Sequence, residues 1–262
     1  KTDGAKKGDI FQAKLNKATG EYTVSVKIKQ LSSDSTGTYV AQAKAYTAWG
    51  TVQTLGSQEF QLSDCDGELS VNLADENAGK YKLRVSALSA PSGIKKVQFK
   101  VWRDSEKEAL LYEGKGNGEA RACTLNLTDF QGSLGKYYVQ ALVTMGNGKV
   151  SVAAKDTFKP ELSDYLYVLK TEKNTARKVY MRNLSQKGSV TFKVWSDKNG
   201  KDDVKSYKAK RIGNTAKVTF TTGALKHSGK VYVAAYVGGD KVKTIAIKIP
   251  ASDMKKNGWY YE

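Results

Sequence analysis

The sequence predicts an all-β fold built from several small antiparallel β-sandwiches. Short stretches such as "EYTVSVKIKQL", "KKVQFKVW" and "VYVAAYV" alternate apolar and polar residues with a period of two. Clusters of Gly, Asn, Asp and Ser interrupt these stretches about every 8–15 residues, a spacing typical of short strands joined by turns. No stretch has a 3.6-residue apolar period with helix caps, so the pattern favours sandwiches over a helical or mixed fold.

Two of these strand patterns recur at a fixed distance along the chain. "VQFKVWRD" (97–104) matches "VTFKVWSD" (190–197), and "GKYYVQALV" (135–143) matches "GKVYVAAYV" (229–237). The matched stretches lie 93 or 94 positions apart, which is about the length of one sandwich domain. We therefore expect "VQFKVW" and "VTFKVW" to occupy the same strand of two equivalent domains.

A third copy is indicated near the start of the chain. "GDIFQAKLNKATGEYTVSV" (8–26) aligns with "DDVKSYKAKRIGNTAKVTF" (202–220), and "GTYVAQAKAY" (37–46) takes the place of "GKYYVQALV". No counterpart of "VQFKVW" precedes it, so we expect this copy to be incomplete and its open sheet edge or core face to be covered.

These matches divide the 262 residues into four predicted segments. They are a first segment (1–62) that is a partial repeat, a second repeat (63–160), a third repeat (161–250) and a short C-terminal stretch (251–262). Lys159-Pro160 marks the boundary between the second and third repeats. Lys1 begins a polar stretch without an apolar signal region and without an initiator Met, which favours a processed or excised piece of a longer chain.

The stretch "KVWSDKNGKDDVKSYKAK" (193–210) gathers several oxygen-bearing side chains and allows three interpretations. A calcium loop of the EF-hand type needs glycine at position 6 and glutamate at position 12, but counting from Asp197 glycine is at position 4 and Lys208 is at position 12. A catalytic pair, Asp202 and Asp203, has no counterpart in the equivalent "RDSEKEALLYEG". We predict a tight turn in which Asn199-Gly200 supplies the positive φ angles.

The same stretch, followed by "LKHSGKVYVAAYV", closely resembles the Bsp-like repeat of Gram-positive surface proteins. The resemblance is close over 188–237, moderate over 68–160, where the Asn-Gly-Asp-Asp core is missing, and partial over 1–62. It implies immunoglobulin-like sandwich modules in a secreted, extracellular, cell-wall-associated protein, such as a peptidoglycan hydrolase or a wall-attached protein. The resemblance supplies no catalytic residue and no cofactor.

Aromatic residues suggest two further contact sites. "KKNGWYYE" (255–262) resembles the opening of a cell-wall or choline-binding repeat, which implies that Trp259, Tyr260 and Tyr261 contact choline or sugar. The alternative is a polar tail that carries three aromatic residues by chance. Trp49, in "AYTAWGTV", is expected near a hairpin end and is the second candidate site for aromatic contacts.

The positive charge of the chain is concentrated in the third repeat. The net charge is +17, and residues 161–250 hold 19 Lys and Arg against 7 Asp and Glu, a balance of +12. Such a surface attracts polyanions, which at a Gram-positive surface are teichoic acid and peptidoglycan. The alternative is that the lysines, which alternate with apolar residues, only form the solvated face of a sheet. Nucleic acid is disfavoured because no RNA- or DNA-binding motif is present. The candidate polyanion-binding residues cluster in sequence and are Lys205, Lys208, Lys210 and Arg211.

Few other residues are candidates for catalysis, metal binding or ligand contact. His227 is the only histidine, which excludes a His-rich metal site and leaves it as a turn residue whose ring bonds the backbone. Trp102 and Trp195 end equivalent strands and are expected to pack in the sandwich cores, with sugar stacking as the alternative. Cys65 and Cys123 are expected to be free or buried thiols, although the sequence does not exclude a disulfide.

The sequence therefore favours a non-catalytic array of repeats that spaces or presents other modules at a bacterial surface. The alternative is a binding module for carbohydrate or a host protein, of the kind found in adhesins. Enzyme activity in this segment is disfavoured. Because every stretch of ~20 residues contains charges, we expect no membrane span.

Overall fold

The computed structural model describes residues 8–27, 30–31, 37–62 and 64–254. These residues form nineteen β-strands and several 3₁₀ turns without any α-helix, so the all-β prediction is confirmed. No helix in the described ranges has the length and apolar character needed to cross a membrane. The strands are β1 (Lys14–Asn16), β2 (Glu21–Thr23), β3 (Gly37–Tyr46), β4 (Val52–Leu62), β5 (Asp66–Asp75), β6 (Lys80–Ser89), β7 (Ile94–Trp102), β8 (Leu110–Glu113), β9 (Arg121–Asn126), β10 (Tyr137–Met145), β11 (Val150–Phe158), β12 (Tyr165–Lys170), β13 (Ala176–Arg182), β14 (Val190–Ser196), β15 (Lys205–Lys208), β16 (Lys210–Ile212), β17 (Thr215–Thr221), β18 (Gly229–Val237) and β19 (Asp240–Ile249).

The described residues of the first segment form two separate two-stranded sheets. Strands β1 and β2 pair with each other, and β3 pairs with β4 through an antiparallel register that joins Gly37 to Leu62. Most side chains of β3 and nearly all of β4 are exposed. These strands therefore lack the continuous buried face that the central strands of the later repeats have.

The second repeat contains a four-stranded sheet in the order β11-β10-β7-β8 and a three-stranded sheet in the order β5-β6-β9. Along β7, Val97, Phe99 and Val101 are buried and alternate with side chains that face outward. The same alternation on β10 buries Val139 and Ala141. The period of two in "VQFKVW" thus gives one buried face and one solvated face.

The third repeat is a sandwich of two four-stranded sheets, β12-β13-β17-β16 and β15-β14-β18-β19. Its core draws on both sheets, because Val179 and Met181 of β13 belong to the same buried cluster as Phe192 and Val194 of β14. The 3₁₀ turn Ala251–Met254 follows β19.

Strands β7 and β14 hold the same place in their sheets, which confirms the expected equivalence of "VQFKVW" and "VTFKVW". Each lies between a long central strand and a short edge strand. Trp102 of β7 lies opposite Tyr138 of β10. Trp195 of β14 lies opposite Tyr232 of β18 in the same manner.

The expectation that these two tryptophans pack in the cores is wrong. Phe99 and Val101 are buried on β7, so Trp102 faces the other side of the sheet, and Val194 places Trp195 likewise. Both tryptophans are half-buried on the outer face, each stacked on its tyrosine at a ring-centroid distance of 5.5 Å.

Contacts divide the chain into two compact units that each combine separate stretches. The first unit comprises 1–70, 83–123 and 137–157, and the second comprises 71–82, 124–136 and 158–262. The third repeat lies wholly within the second unit. The domain boundaries from the sequence stay predictions, and the boundary residue Ser63 lies outside the described residues.

Candidate polyanion-binding site

A groove with four lysines lies on the outer face of the sheet β12-β13-β17-β16 in the third repeat and reaches Lys208 at the end of β15, a strand of the other sheet. Its volume is about 370 Å³. The lysine groove is lined by Lys178, Tyr180, Lys208, Lys210, Lys217, Val218 and Thr219.

Strand alternation explains why these side chains meet on one face. On β13, Val179 and Met181 point into the core, so Lys178 and Tyr180 between and beside them point outward. On β17, the buried Ala216 places Lys217 outward. Strand β13 and the consecutive strands β15, β16 and β17 thus bring their lysines to one groove.

The register of the sheet sets neighbouring positions within the groove. Lys217 of β17 lies opposite Tyr180 of β13 and, on its other side, opposite Lys210 of β16. Lys178 lies opposite Thr219 in the next row. The groove therefore has a tyrosine between its lysines.

The positive charge in the lysine groove is not compensated by acidic partners. Directly opposed like charges such as Lys210 and Lys217 destabilise a sheet by about 0.2–1 kcal/mol. Within the described ranges, no carboxylate forms an ion pair with any of the four lysines. A bound anion would relieve this repulsion.

A second groove adjoins the first and extends the basic surface. It has a volume of about 610 Å³ and shares Lys178 and Tyr180 with the lysine groove. It adds Lys170 and Lys173 together with one acid, Glu172. Both grooves are open to solvent and share two lining residues, an arrangement that suits a chain molecule better than an enclosed small ligand.

The structure brings together two of the four predicted polyanion-binding residues. Lys208 and Lys210 line the lysine groove, whereas Lys205 does not. The guanidinium of Arg211 donates hydrogen bonds to the carbonyls of Gly213, Gly188 and Gln186, so this side chain anchors neighbouring loops. Sequence reasoning missed Lys178 and Lys217, although the alternation in "RKVYMR" and "AKVTF" already placed both on a solvated face.

The stretch between β14 and β15 is a turn, as predicted. Asn199 has a φ of 55° and Gly200 a φ of 69°, both in the left-handed region. The described residues contain no cluster of three or more His, Cys, Asp or Glu suited to holding a metal ion.

Asp203 in this turn is a buried structural carboxylate. It accepts hydrogen bonds from the backbone N–H of Ser196 at 2.9 Å, the hydroxyl of Ser196 at 2.8 Å and the backbone N–H of Lys226 at 2.9 Å. Burial raises the pKa of Asp203, but these hydrogen bonds together with the nearby His227 outweigh it and hold the pKa below its usual value. The carboxylate therefore clamps the end of β14 to the loop before β18.

The expected role of His227 needs correction. Its Nε2 lies 3.4 Å from the amide nitrogen of Asn199 and 3.7 Å from a carboxylate oxygen of Asp202. The ring thus contacts side chains of the turn rather than the backbone before Gly229. Lys226 adds a contact to Asp202 at 3.3 Å, so the cluster joins two loops.

The outward tryptophan of the third repeat is already covered by neighbours. Trp195 stacks on Tyr232, and the ammonium of Lys201 lies 4.8 Å from the centre of the Trp195 ring. Lys230 lies 4.8 Å from the centre of the Tyr232 ring. Because protein groups already occupy these ring surfaces, a sugar would have to displace a lysine to stack here.

The other predicted aromatic contacts are only partly described. Trp49 lies at the tip of the β3–β4 hairpin and is 91% exposed. Trp259, Tyr260 and Tyr261 lie outside the described residues.

Both cysteines are free thiols. Burial raises the pKa of the Cys123 thiol to about 12 and also raises that of Cys65. A thiol with a raised pKa is a poor nucleophile near neutral pH.

Comparison with known families places part of the chain. Residues 70–158 match the family described as "GBS Bsp-like repeat", which corresponds to most of the second repeat. This match fits a non-catalytic repeat module of a kind that occurs in surface proteins. No curated protein matches the chain.

Several solved structures are similar to parts of the chain, all at low identity and low TM-score. They include a polysaccharide deacetylase from Bacillus cereus (17% identity, 40% of this chain, 32% of that chain, TM-score 0.32). They also include the FN1-FN3 domains of chicken CNTN1 (10% identity, 80% and 77%, TM-score 0.29). A tetra-tandem repeat in the extending region of a large adhesion protein is similar at 17% identity, 90% and 62% coverage and a TM-score of 0.31. The chain spans about a third of the deacetylase. No comparison addresses the resemblance of residues 255–262 to a wall-binding repeat.

Proposed function

We propose that this chain is a non-catalytic repeat region of a secreted Gram-positive surface protein, and that its third repeat attaches to anionic polymers of the cell wall. The observation that carries the proposal is the lysine groove, which four lysines line without acidic partners in the described part of the chain. Teichoic acid and anionic peptidoglycan are the polyanions that such a protein meets. The parent protein is a wall-attached protein or a wall hydrolase that uses these repeats as spacers.

Each contact between a lysine and the polymer is weak, and the overall affinity comes from many such contacts made at once. Each lysine–phosphate contact at an exposed site contributes little, because water and salt screen it. A polymer chain that follows both grooves makes several contacts at once, and the basic surface raises its local concentration. The bound chain remains mobile, which suits a module that spaces other domains.

A pull-down of the whole chain on purified walls, with and without teichoic acid, tests the proposal. The groove variant replaces Lys178, Lys208, Lys210 and Lys217 with Gln. The control variant removes the same charge from exposed lysines outside the groove, namely Lys187, Lys198, Lys205 and Lys241. We expect the groove variant to lose retention far more than the control does.

Added salt provides a second arm of this experiment. Raising salt from 0.1 M to 1 M shortens the screening length from ~10 Å to ~3 Å, so retention should fall steeply. The proposal would be rejected if retention on walls did not change with salt, or if it were equal on walls with and without teichoic acid. The repeats would then act only as spacers. Equal losses in the two variants would reject the groove as the site.

A second candidate function is contact with carbohydrate or a host protein, as in an adhesin. The observation that favours it is the nearly complete exposure of Trp49 at a hairpin tip. Trp49→Ala should abolish binding to a glycan array without changing retention on walls, and an unchanged array profile would remove this candidate.

A further inference from the structure

Strand β3 of the first segment is the structural counterpart of the central strands β10 and β18. The sequences "GTYVAQAKAY", "GKYYVQALV" and "GKVYVAAYV" align from their first glycine. The pairing of β3 with β4 shifts register between Ala43 and Lys44, and that of β18 with β19 shifts at the equivalent step between Ala235 and Tyr236. A shared irregularity at the same position supports the alignment independently of sequence.

The environment of β3 differs from that of its counterparts. Strands β10 and β18 each lie between two neighbours, whereas β3 has only β4 beside it in the described part of the chain. The core positions on β18 are fully buried at Val233 and Ala235. Their equivalents on β3, Ala41 and Ala43, are exposed. A face that is core in one repeat is therefore open in the first segment.

The complete repeats show which residue lies beside this position in the adjacent strand. In the second repeat Phe99 of β7 lies opposite Ala141 of β10. In the third repeat Phe192 of β14 lies opposite Ala235 of β18. A small residue thus accommodates a phenylalanine from the adjacent strand in both repeats. Ala43 holds the same place on β3, so the first segment keeps the space for a phenylalanine.

We propose that the open edge of β3 over residues 40–46 accepts one antiparallel β-strand of the pattern V-x-F-x-V, whose phenylalanine lies opposite Ala43. Main-chain hydrogen bonds to the free edge supply affinity, and alternate apolar side chains supply specificity. The occupant is a strand of the same type as β7 and β14. The site is distinct from the lysine groove, which lies in another repeat.

The test uses the strand sequence that the chain itself contains. A fluorescent peptide "SVTFKVWSD", copied from residues 189–197, is titrated against the full chain by fluorescence anisotropy. We expect saturable binding together with slower amide hydrogen exchange across residues 40–46. Replacing the phenylalanine of the peptide with alanine should weaken binding roughly tenfold, because the apolar contact of the ring with Ala43 and its neighbours is lost.

Two matched variants of the chain locate the contact. Ala43→Lys places a charge where the phenylalanine should lie and should abolish binding, whereas Gln42→Lys adds the same charge on the opposite side of the strand and should leave it unchanged. Both positions are exposed, so neither change opens a core. Equal binding of a scrambled peptide, protection confined to other strands, or binding unaffected by Ala43→Lys would overturn the proposal. Self-association through β3 that excludes the peptide would also overturn it.

Discussion

Replacing Asp203 with asparagine should destabilise the third repeat by about 2–4 kcal/mol. The carboxylate accepts three hydrogen bonds, two of them from the backbone N–H groups of Ser196, which is buried, and Lys226. Asparagine keeps the shape but offers only one acceptor oxygen, so its amide group must face the N–H of Lys226 or the buried Ser196. A donor that faces a donor costs the full desolvation of the unpaired group.

Asp202→Asn is the matched control, since this neighbouring side chain makes only partly exposed contacts to Lys226 and His227. Its loss should cost no more than about 1 kcal/mol. Urea unfolding measures both free energies, and hydrogen exchange of residues 190–197 shows whether the loss is local to the clamped strand. If Asp203→Asn lies within about 0.5 kcal/mol of the wild type, or matches Asp202→Asn, the clamp does not exist as described.

The clamp also has a defined pH dependence. The folded protein holds the pKa of Asp203 below its ordinary value of 3.8. A depressed pKa gives stability that is present above the unfolded pKa and is lost as the pH falls through the folded pKa. The stability difference between the wild type and Asp203→Asn should therefore be constant at neutral pH and shrink below about pH 4.

Three further predictions concern buried or half-buried side chains. Asp253→Asn leaves the buried guanidinium of Arg177 without its carboxylate partner and should cost about 3–5 kcal/mol in urea unfolding, whereas no change would show that the pair is dispensable. Trp195→Ala should cost only about 1–2 kcal/mol, because the ring stacks on an outer face, and a loss of the size expected for a core aromatic would contradict that placement. In a Cys65→Ser background, Cys123 should react with a thiol reagent at pH 8 on the order of a thousandfold more slowly than an exposed cysteine, because its pKa is about 12; fast reaction in the folded chain would refute its burial.

The strands and the repeat were predictable because their physical signal is local. A period of two in "VTFKVW" fixes which side chains share a face, and Asn199-Gly200 fixes the turn that follows. The same alternation predicts that Trp195 points outward, because it lies one position after Val194 and three after Phe192, which point into the core. We expected a core position because tryptophan is usually buried, and the period of two was not applied to this residue.

The candidate site was less accessible from the sequence because it depends on sheet register. Lys178 and Lys217 belong to strands 39 positions apart, and only the pairing of β13 with β17 places them on one surface. The different roles of Asp202 and Asp203 could not be predicted from the sequence either, because they depend on the direction in which each side chain points. Only one of two adjacent carboxylates in the turn points toward the backbone N–H groups.

The salt dependence of polymer binding tests the central claim most directly. Fluorescence anisotropy with labelled soluble teichoic acid gives the dissociation constant of the whole chain over a series of salt concentrations. Each lysine that neutralises a phosphate releases counterions, so the slope of log affinity against log salt reports the number of such contacts. The account predicts a shallower slope when Lys178, Lys208, Lys210 and Lys217 are replaced with Gln, and a slope close to wild type in the control with equal charge removed elsewhere. Equal slopes in the two variants would contradict it.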